Sequence, residues 1–439
     1  MLATLTIAGS DPIGGAGLQA DIKAFGSIGI HATSVVTCVT SQNTLGVRSI
    51  FPVPAEIITS QLDAVLDDVD IAAAKTGMLF SADIANVVAG RMEEVDFPLV
   101  VDPVLVASVG DSLHSSDLLD SIKGDLVPIA SVITPNIPEA EALIGSSISS
   151  RNEAEEACVS ISDMGAEAVL LKGGHTGSGP VEDIFLFEGG FHTFTSPRVE
   201  GVGHGGGCTL SAYLTGFLAK GLEPLEAVTS AKDMIWKAFV SSFRVGKGMT
   251  LVNPLAPVNE DAARHNICSR LRRAVEVLES KLPSSWVPEV GMNFVYALPS
   301  ALTPDDVCGV EGRISPSRGR LVHAECLDFG ASQHVAIIAL TAMSFDRSMR
   351  SALNLRFSEE NLGDLKESGL LVGSFSRAEE PSSGKRTMEW GTERAILEMG
   401  TVPDAVYDRG GKGKEPMIRI LGSDPEEVLS KVGRIIDPR

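Results

Sequence analysis

The chain has six cysteines in 439 residues and no CxxC pair among them, which excludes a zinc knuckle and a thioredoxin-type redox motif. It has no GxxxxGK[ST] segment, so the Walker-type nucleotide kinases are excluded. No basic stretch precedes the first apolar run, and Met1-Leu2-Ala3-Thr4-Leu5-Thr6-Ile7-Ala8-Gly9 reads as a buried first strand rather than a signal peptide. The charge-free window 24–47 is too rich in Gly, Ser, Thr, Gln and Asn to span a bilayer. Positive charge is scarce: 36 Lys and Arg against 57 Asp and Glu leave a net charge of -21. Phosphate backbones and anionic lipid surfaces demand local positive charge, so neither nucleic acid nor a membrane is an expected partner. A cytoplasmic protein with reduced thiols is expected. Internal repeats and low-complexity tracts are also absent.

What is present is ample core material. With 44% hydrophobic residues, disorder is excluded over most of the length, and 439 residues predict two or three globular units. Charge divides the chain. Residues 1–255 hold 30 acidic and 13 basic side chains, whereas 256–439 hold 27 and 23, with 17 of the 22 arginines. Two domains with different ligands are the simplest reading. The expected boundaries are a first domain over 1–255, a linker over 256–264 and a second domain over 265–439.

Short apolar runs at 3–8, 31–39, 71–75, 98–102, 131–134 and 168–172 read as strands. Stretches of helical period separate them, at 18–28, 55–69, 82–94, 115–126, 139–144 and 152–164. That alternation predicts an α/β fold with a parallel sheet and crossover helices. A hairpin around 185–194 and two helices at 209–220 and 223–243 follow. After Asn253-Pro254-Leu255-Ala256-Pro257, one long charged helix is expected over 258–282.

The first strand runs into Gly9-Ser10-Asp11-Pro12-Ile13-Gly14-Gly15-Ala16-Gly17-Leu18-Gln19-Ala20-Asp21. Gly15-x-Gly17-x-x-Ala20 imitates a dinucleotide fingerprint, but that motif needs a carboxylate at the end of the second strand. The sequence there is Thr40-Ser41-Gln42-Asn43-Thr44. Gln42 offers a two-way amide instead, suited to a heteroaromatic ring carrying an amino group and a ring nitrogen. A second cluster, Val202-Gly203-His204-Gly205-Gly206-Gly207-Cys208-Thr209, places glycine amides at the start of an apolar helix, an anion site for a phosphoryl group in flight. Cys208 stands at its mouth, where the helix dipole is expected to favour a thiolate. The plainer alternative is a glycine turn with a buried cysteine. Asp102-Pro103, Thr134-Pro135-Asn136-Ile137-Pro138-Glu139 and Lys172-Gly173-Gly174-His175 end three predicted strands and converge on one crevice. A carboxylate, an amide, a lysine and an anion hole suit magnesium-assisted phosphoryl transfer from a nucleotide.

These segments, with Lys75-Thr76-Gly77-Met78-Leu79, resemble the hydroxymethylpyrimidine kinase and hydroxymethylpyrimidine-phosphate kinase family over about residues 1–250. The resemblance implies a ribokinase-like, mostly parallel sheet with helices on both faces. It also implies two successive ATP-dependent phosphorylations of 4-amino-5-hydroxymethyl-2-methylpyrimidine. Carried over, Gln42 reads the pyrimidine in a pocket lined by Gly9, Ala16 and Met78. Cys208 acts as general base, and Gly205 and Gly207 form the anion hole. Asn136, Glu139 and Lys172 serve the nucleotide phosphates and magnesium, with Asp102 a metal candidate. Two departures stand out: Gly206 where the family usually has Thr, and Ser108 where a lysine is common. A kinase of pyridoxal or another small alcohol is the alternative.

In the second domain, Val310-Glu311-Gly312-Arg313-Ile314, Phe329-Gly330-Ala331-Ser332-Gln333-His334, Arg350-Ser351-Ala352-Leu353-Asn354-Leu355-Arg356 and Asp408-Arg409-Gly410-Gly411-Lys412-Gly413-Lys414-Glu415-Pro416-Met417-Ile418-Arg419 set cations among glycines and small polar residues. Such a pattern suits a polyphosphate. The clusters resemble the ThiN-type thiamine-phosphate synthase domain over roughly residues 265–439. That resemblance implies a second, smaller α/β domain and condensation of the pyrimidine diphosphate with thiazole phosphate. Arg313 and His334 are then expected to be essential. Arg350, Arg356, Lys414 and Arg419 bind phosphates, and Asp408 is a magnesium candidate. The alternative is a non-catalytic sensor of thiamine phosphates. The expected partners are small molecules and a second copy of the chain in a homodimer.

Overall fold

The structure, a computed structural model, describes residues 1–105, 117–174, 180–199, 201–317, 320–323, 326–380, 387–411 and 413–436. Ser108, His175 and Lys412 lie outside the described residues. The chain divides into two compact units, Met1–Val258 and Asn259–Arg439.

In the first unit the apolar runs become a nine-stranded sheet. Its strands are β1 (Ala3–Ser10), β2 (His31–Asn43), β3 (Gly46–Pro52), β4 (Ile71–Thr76), β5 (Leu99–Val101), β6 (Val132–Ile133), β7 (Ala168–Leu171), β8 (Val181–Phe187) and β9 (Gly190–Ser196). The order is β3-β2-β1-β4-β5-β6-β7-β8-β9. Strands β2, β1, β4, β5, β6 and β7 are parallel, whereas β3 and the β8–β9 hairpin pair antiparallel at the two edges. Central strands are apolar on both faces because both are covered. Val100, Val132 and Leu170 join one buried cluster with helices Gly17–Ser27, Gly206–Ala219 and Pro224–Val240. Their neighbours Val101, Ile133 and Leu171 join another, with helices Ala55–Leu66, Ala82–Met92, Ile137–Ile144 and Arg151–Ser162. Two short strands, β10 (Val202–His204) and β11 (Thr250–Leu251), pair in parallel outside the sheet.

Residues 256–264, expected as a linker, are the opening turns of the helix Ala256–Lys281. Pro257 is tolerated there because a first-turn N–H has no helical partner to lose. The helix buries Ile267, Leu271, Ala274, Val275 and Leu278, a stripe at helical spacing, in the core of the second unit.

That unit holds β12 (Phe294–Ala297), β13 (Val307–Val310), β14 (Ile314–Ser317), β15 (Arg320–His323), β16 (Leu327–Phe329), β17 (Ser351–Arg356), β18 (Val372–Ser374), β19 (Ala405–Asp408) and β20 (Met417–Gly422). Seven of them form a sheet ordered β16-β13-β12-β17-β20-β19-β18, antiparallel except for β18 with β19, and β14–β15 is a separate hairpin. Helices Gln333–Phe345, Glu359–Glu367, Thr387–Met399 and Pro425–Ile436 complete it. No helix among the described residues is long and apolar enough to cross a membrane.

Candidate active sites

Strand β1 delivers the chain into a turn organised by Asp11. Its carboxylate accepts from the backbone N–H groups of Ile13 (2.9 Å), Gly15 (3.0 Å) and Ala16 (2.8 Å), and lies 3.0 Å from His204 Nε2. Burial pushes this carboxyl up, but the hydrogen bonds from His204, Ala16 and Ile13 outweigh it and hold it below its ordinary range. Asp11 is thus a fixed anion that ties together two glycine clusters 193 residues apart in sequence. The backbones also touch. Gly17 (φ 54°) and Gly205 (φ 90°) occupy the left-handed region, where a Cβ would run into the carbonyl oxygens of Gly9 and Gly15 respectively.

The helix Gly206–Ala219 begins directly behind Gly205. Its first ladder bond runs from Thr209 N to Gly205 O at 3.0 Å, so the N–H groups of Gly206, Gly207 and Cys208 stand ahead of the ladder. Gly205 makes the turn, and Gly207 lies beside Lys172. A Cβ at Gly207 would be 3.3 Å from Lys172 Nζ and 3.8 Å from Asp102 Oδ2. At Gly206 it would be 2.8 Å from the Phe239 ring, so Phe239 occupies the space of the side chain that the family usually carries there.

Lys172 Nζ sits 3.0 Å from Asp102 Oδ1 and 4.0 Å from Glu139 Oε2. Thr134 and Ser211 donate to the two oxygens of Asp102 at 3.1 and 3.2 Å. Burial raises the Asp102 pKa, but Lys172 and Lys75 outweigh burial and lower it overall, so the carboxylate stays ionised. Asp102 is therefore the counter-ion of Lys172. Among the described residues no group of three or more His, Cys, Asp and Glu is placed to hold a metal. Asn136 and Glu139 form a capping box on the helix Ile137–Ile144, with reciprocal bonds of 2.8 and 2.9 Å. Burial pushes Glu139 up to about 7, and Lys172 offsets this only in part. The expected thiolate at Cys208 is not found. Burial pushes its thiol up to about 11, with Lys75 opposing and Asp21 and Asp102 adding to the rise.

Gln42 ends its reach 3.3 Å from His204 Nε2. Gly9 backs onto Cys38 and Met78, whose sulfurs would lie 2.7 and 3.4 Å from a Cβ at that position. Gly9, Ala16, Gln42 and Met78 thus lie around the Asp11 turn, next to the start of the helix Gly206–Ala219, at the carboxyl ends of the parallel strands. Asp11 and His204 lie within the two glycine motifs, but the sequence alone assigns them no role. An acid placed just before a run of glycine amides was the available signal.

In the second unit, strand register decides which cations can meet. Arg356 and Asp408 both pair with Met417, so they share one end of the sheet. Asn293 and Asn354 lock that end. Asn354 Oδ1 accepts from Asn293 N at 2.7 Å, Asn293 Nδ2 donates to Val310 O at 2.6 Å, and Val310 N donates to Asn293 Oδ1 at 3.0 Å. Arg313 follows Val310 there and donates to Val290 O at 2.9 Å. Arg313, Arg356 and Lys414 are exposed, with Lys414 3.4 Å from Glu380. His334 is exposed at the second residue of the helix Gln333–Phe345.

Three expectations change. Asp408 is fully buried between Arg377 (2.6 Å) and Arg419 (2.7 Å) and accepts from Gly410 N (2.8 Å), so it is an ion-pair partner rather than a magnesium ligand. Arg419 is 2% exposed and committed to Asp408, which removes it from direct phosphate contact. Arg350 precedes Ser351, whose partners are Tyr296 and Gly422 at the other end of β17. It donates twice to Ala297 O (3.0 and 2.8 Å) and lies over the Tyr296 ring. Arg377, which also donates to the Glu415 carbonyl (3.3 Å), had no sequence motif to reveal it.

Fold and site together define the first unit as a ribokinase-like kinase. Residues 11–253 match the family model of phosphomethylpyrimidine kinase, and residues 270–434 match that of thiamine-phosphate synthase ThiN. The chain is 33% identical over 98% of its length to a bifunctional thiamine biosynthesis protein, ThiDN, of Methanocaldococcus jannaschii, covering 97% of that protein. It is 45% identical to a hydroxymethylpyrimidine/phosphomethylpyrimidine kinase of Haemophilus influenzae, over 56% of this chain and 93% of the relative. Among solved structures, an ADP complex of Bacillus subtilis pyridoxal kinase superposes with a TM-score of 0.54 at 32% identity, covering 58% of this chain and 98% of that one. Staphylococcus aureus pyridoxal kinase with AMP-PCP and pyridoxal gives 0.54 at 30%, covering 58% and 94%. The chain belongs to the phosphomethylpyrimidine kinase family, in the form fused to a ThiN thiamine-phosphate synthase domain.

Proposed function

We propose that the first unit phosphorylates 4-amino-5-hydroxymethyl-2-methylpyrimidine twice and that the second condenses the resulting diphosphate with thiazole phosphate. The observation that carries this reading is the match to a bifunctional thiamine biosynthesis protein along 98% of the chain, with glycine amides at a helix start and a half-buried lysine at the strand ends. In the first step the hydroxymethyl oxygen attacks the terminal phosphorus of magnesium ATP and ADP leaves; in the second, the new phosphate attacks in the same way. Magnesium enters as part of the nucleotide, as is common for phosphoryl transfer, with Asn136, Glu139 and Lys172 on the phosphate side. Gln42 reads the pyrimidine, with Gly9, Ala16 and Met78 around it. The amides behind Gly205 and along Gly207 take up the charge of the transferring group. Cys208 acts as general base from its thiolate form: its thiol proton passes to solvent water, and the sulfur then takes the hydroxymethyl proton as the new O–P bond forms. A loose transition state tolerates this, because it draws the proton off late.

In the second unit the exposed cations Arg313, Arg356 and Lys414 hold the leaving pyrophosphate, and His334 acts at the same reaction. Asp408, with Arg377 and Arg419, fixes the glycine loop rather than touching substrate. The reading includes a cytoplasmic homodimer, which sedimentation of the purified protein tests. Pyridoxal is disfavoured as substrate, since identity is 45% to a pyrimidine kinase against 30–32% to the pyridoxal kinases. The decisive experiment supplies the pyrimidine alcohol, thiazole phosphate, ATP and magnesium together. Thiamine phosphate is expected, and its absence would refute the proposal.

A further inference from the structure

Lys75 is the penultimate residue of β4, and its ammonium is buried beneath the first turn of the glycine helix. It lies 2.9 Å from Asp21 Oδ1, with neither side chain exposed, and donates to the carbonyl oxygen of Cys208 at 3.5 Å. Asp21 is itself fixed, because Thr6 donates to its other oxygen at 2.7 Å. The Ser211 hydroxyl, whose one proton is shared with Asp102, lies 3.0 Å from the same Cys208 carbonyl. Strand β4 and the helices Gly17–Ser27 and Gly206–Ala219 therefore meet at one peptide group.

Stability does not account for this arrangement. Replacing a buried ion pair by apolar residues of similar volume is often neutral or stabilising, and of the cross-strand partners of Lys75, Val100 is apolar and Thr6 is already bonded to Asp21. The charge lies where a phosphoryl group in the anion hole would feel it, one helical turn away and shielded from water. The remaining charged groups around Cys208 are Asp102 and Lys172, with Glu139 beyond, and Lys172 and Asp102 already pair with each other.

We propose that Lys75, tethered by Asp21, is a positioning residue for phosphoryl transfer, fixing the Cys208 turn through its carbonyl and setting a positive charge behind the anion hole. This rests on the kinase reading. Lys75→Met should lower kcat for pyrimidine phosphorylation roughly tenfold to a hundredfold, with KM for ATP and for the pyrimidine within about threefold of wild type. Because the single change strands a buried carboxylate, Lys75→Met/Asp21→Leu removes both charges, and the same loss of kcat is expected in a folded protein. Magnesium ADP with fluoroaluminate and the pyrimidine alcohol, which mimics the group in transfer, should bind this double variant more weakly by the same factor, while ADP alone binds as to wild type. A folded double variant with wild-type kcat overturns the inference. So does an equal loss of ADP binding, which marks a merely structural pair. Wild-type turnover is the control: its absence brings down the kinase reading and this inference together.

Discussion

The two units handle phosphate groups with different materials. The first carries a net charge of -17 and only five arginines, and in the proposed mechanism it meets the transferring phosphoryl group with backbone amides at a glycine turn. Its nearby cations, Lys75 and Lys172, are each paired with a carboxylate, so they add position more than net charge. The second unit holds 17 arginines yet sums to only -4. Some, such as Arg377 and Arg419, are spent on one buried aspartate, while Arg313 and Arg356 stay exposed at the same end of the sheet. Side-chain counts therefore misreport where phosphate chemistry lies: backbone dipoles are invisible to them, and buried ion pairs inflate them.

The sharpest break between the units comes from Gly205→Ala. With φ at 90° and Gly15 in van der Waals reach, the methyl group cannot be accommodated. Phosphorylation is expected to fall about a thousandfold, with condensation from added diphosphate unchanged. Arg313→Ala should do the reverse, lowering condensation about a hundredfold while phosphorylation persists. Separate assays on the same preparations would show this, and a shared loss would remove the division of labour.

A pH scan of stability tests the buried carboxylates of the first unit. Glu139 is raised from 4.5 to about 7, so across that window the folded protein keeps a proton that the unfolded chain has lost. Its contribution to stability is thus present below about 4.5 and declines as pH rises towards 7. Denaturant titrations of Glu139→Gln, which retains the cap, should show this decline flattened by on the order of 2 kcal/mol. Gly206→Thr should destabilise the first unit by about 1–2 kcal/mol, because its Cβ meets Phe239. Adding Phe239→Ala should relieve that clash, and the melting temperatures would show whether it does. In the second unit, Arg356→Ala should raise KM for the pyrimidine diphosphate about tenfold, whereas Arg350→Ala should leave it within about twofold. Equal effects would mean that strand register does not sort these arginines.

Much of this was legible before any coordinates. Continuous apolar runs such as Leu99–Val101 signalled strands covered on both faces, and the two glycine clusters signalled two tight turns, which the structure brings together. Strand β3 was not legible, since Gly46–Pro52 carries Arg48, Ser49 and a proline and is held by pairing with β2 rather than by its own pattern. The separation of Arg350 from Arg356 was hidden as well. Residues on one strand look adjacent in sequence, yet six of them span roughly 20 Å. The raised pKa of Cys208 comes first from burial, to which Asp21 and Asp102, both distant in sequence, add. Asp408 looked like a free carboxylate because Arg377, 31 residues away, gives no local sign of its partner.

The clasp near the end of the first unit bears on how the kinase site is made. Thr44, two residues beyond Gln42, accepts through its hydroxyl from Gly248 N (3.0 Å) and through its carbonyl from Met249 N (2.9 Å), and β10 leans on β11. On the ribosome, the segment that carries Gln42 emerges early and waits for some two hundred further residues before this clasp can close. Contacts of such long range form late and slowly. The kinase site is therefore among the last features of its unit to mature, and a chain interrupted before residue 248 would hold the sheet's strands without a finished site.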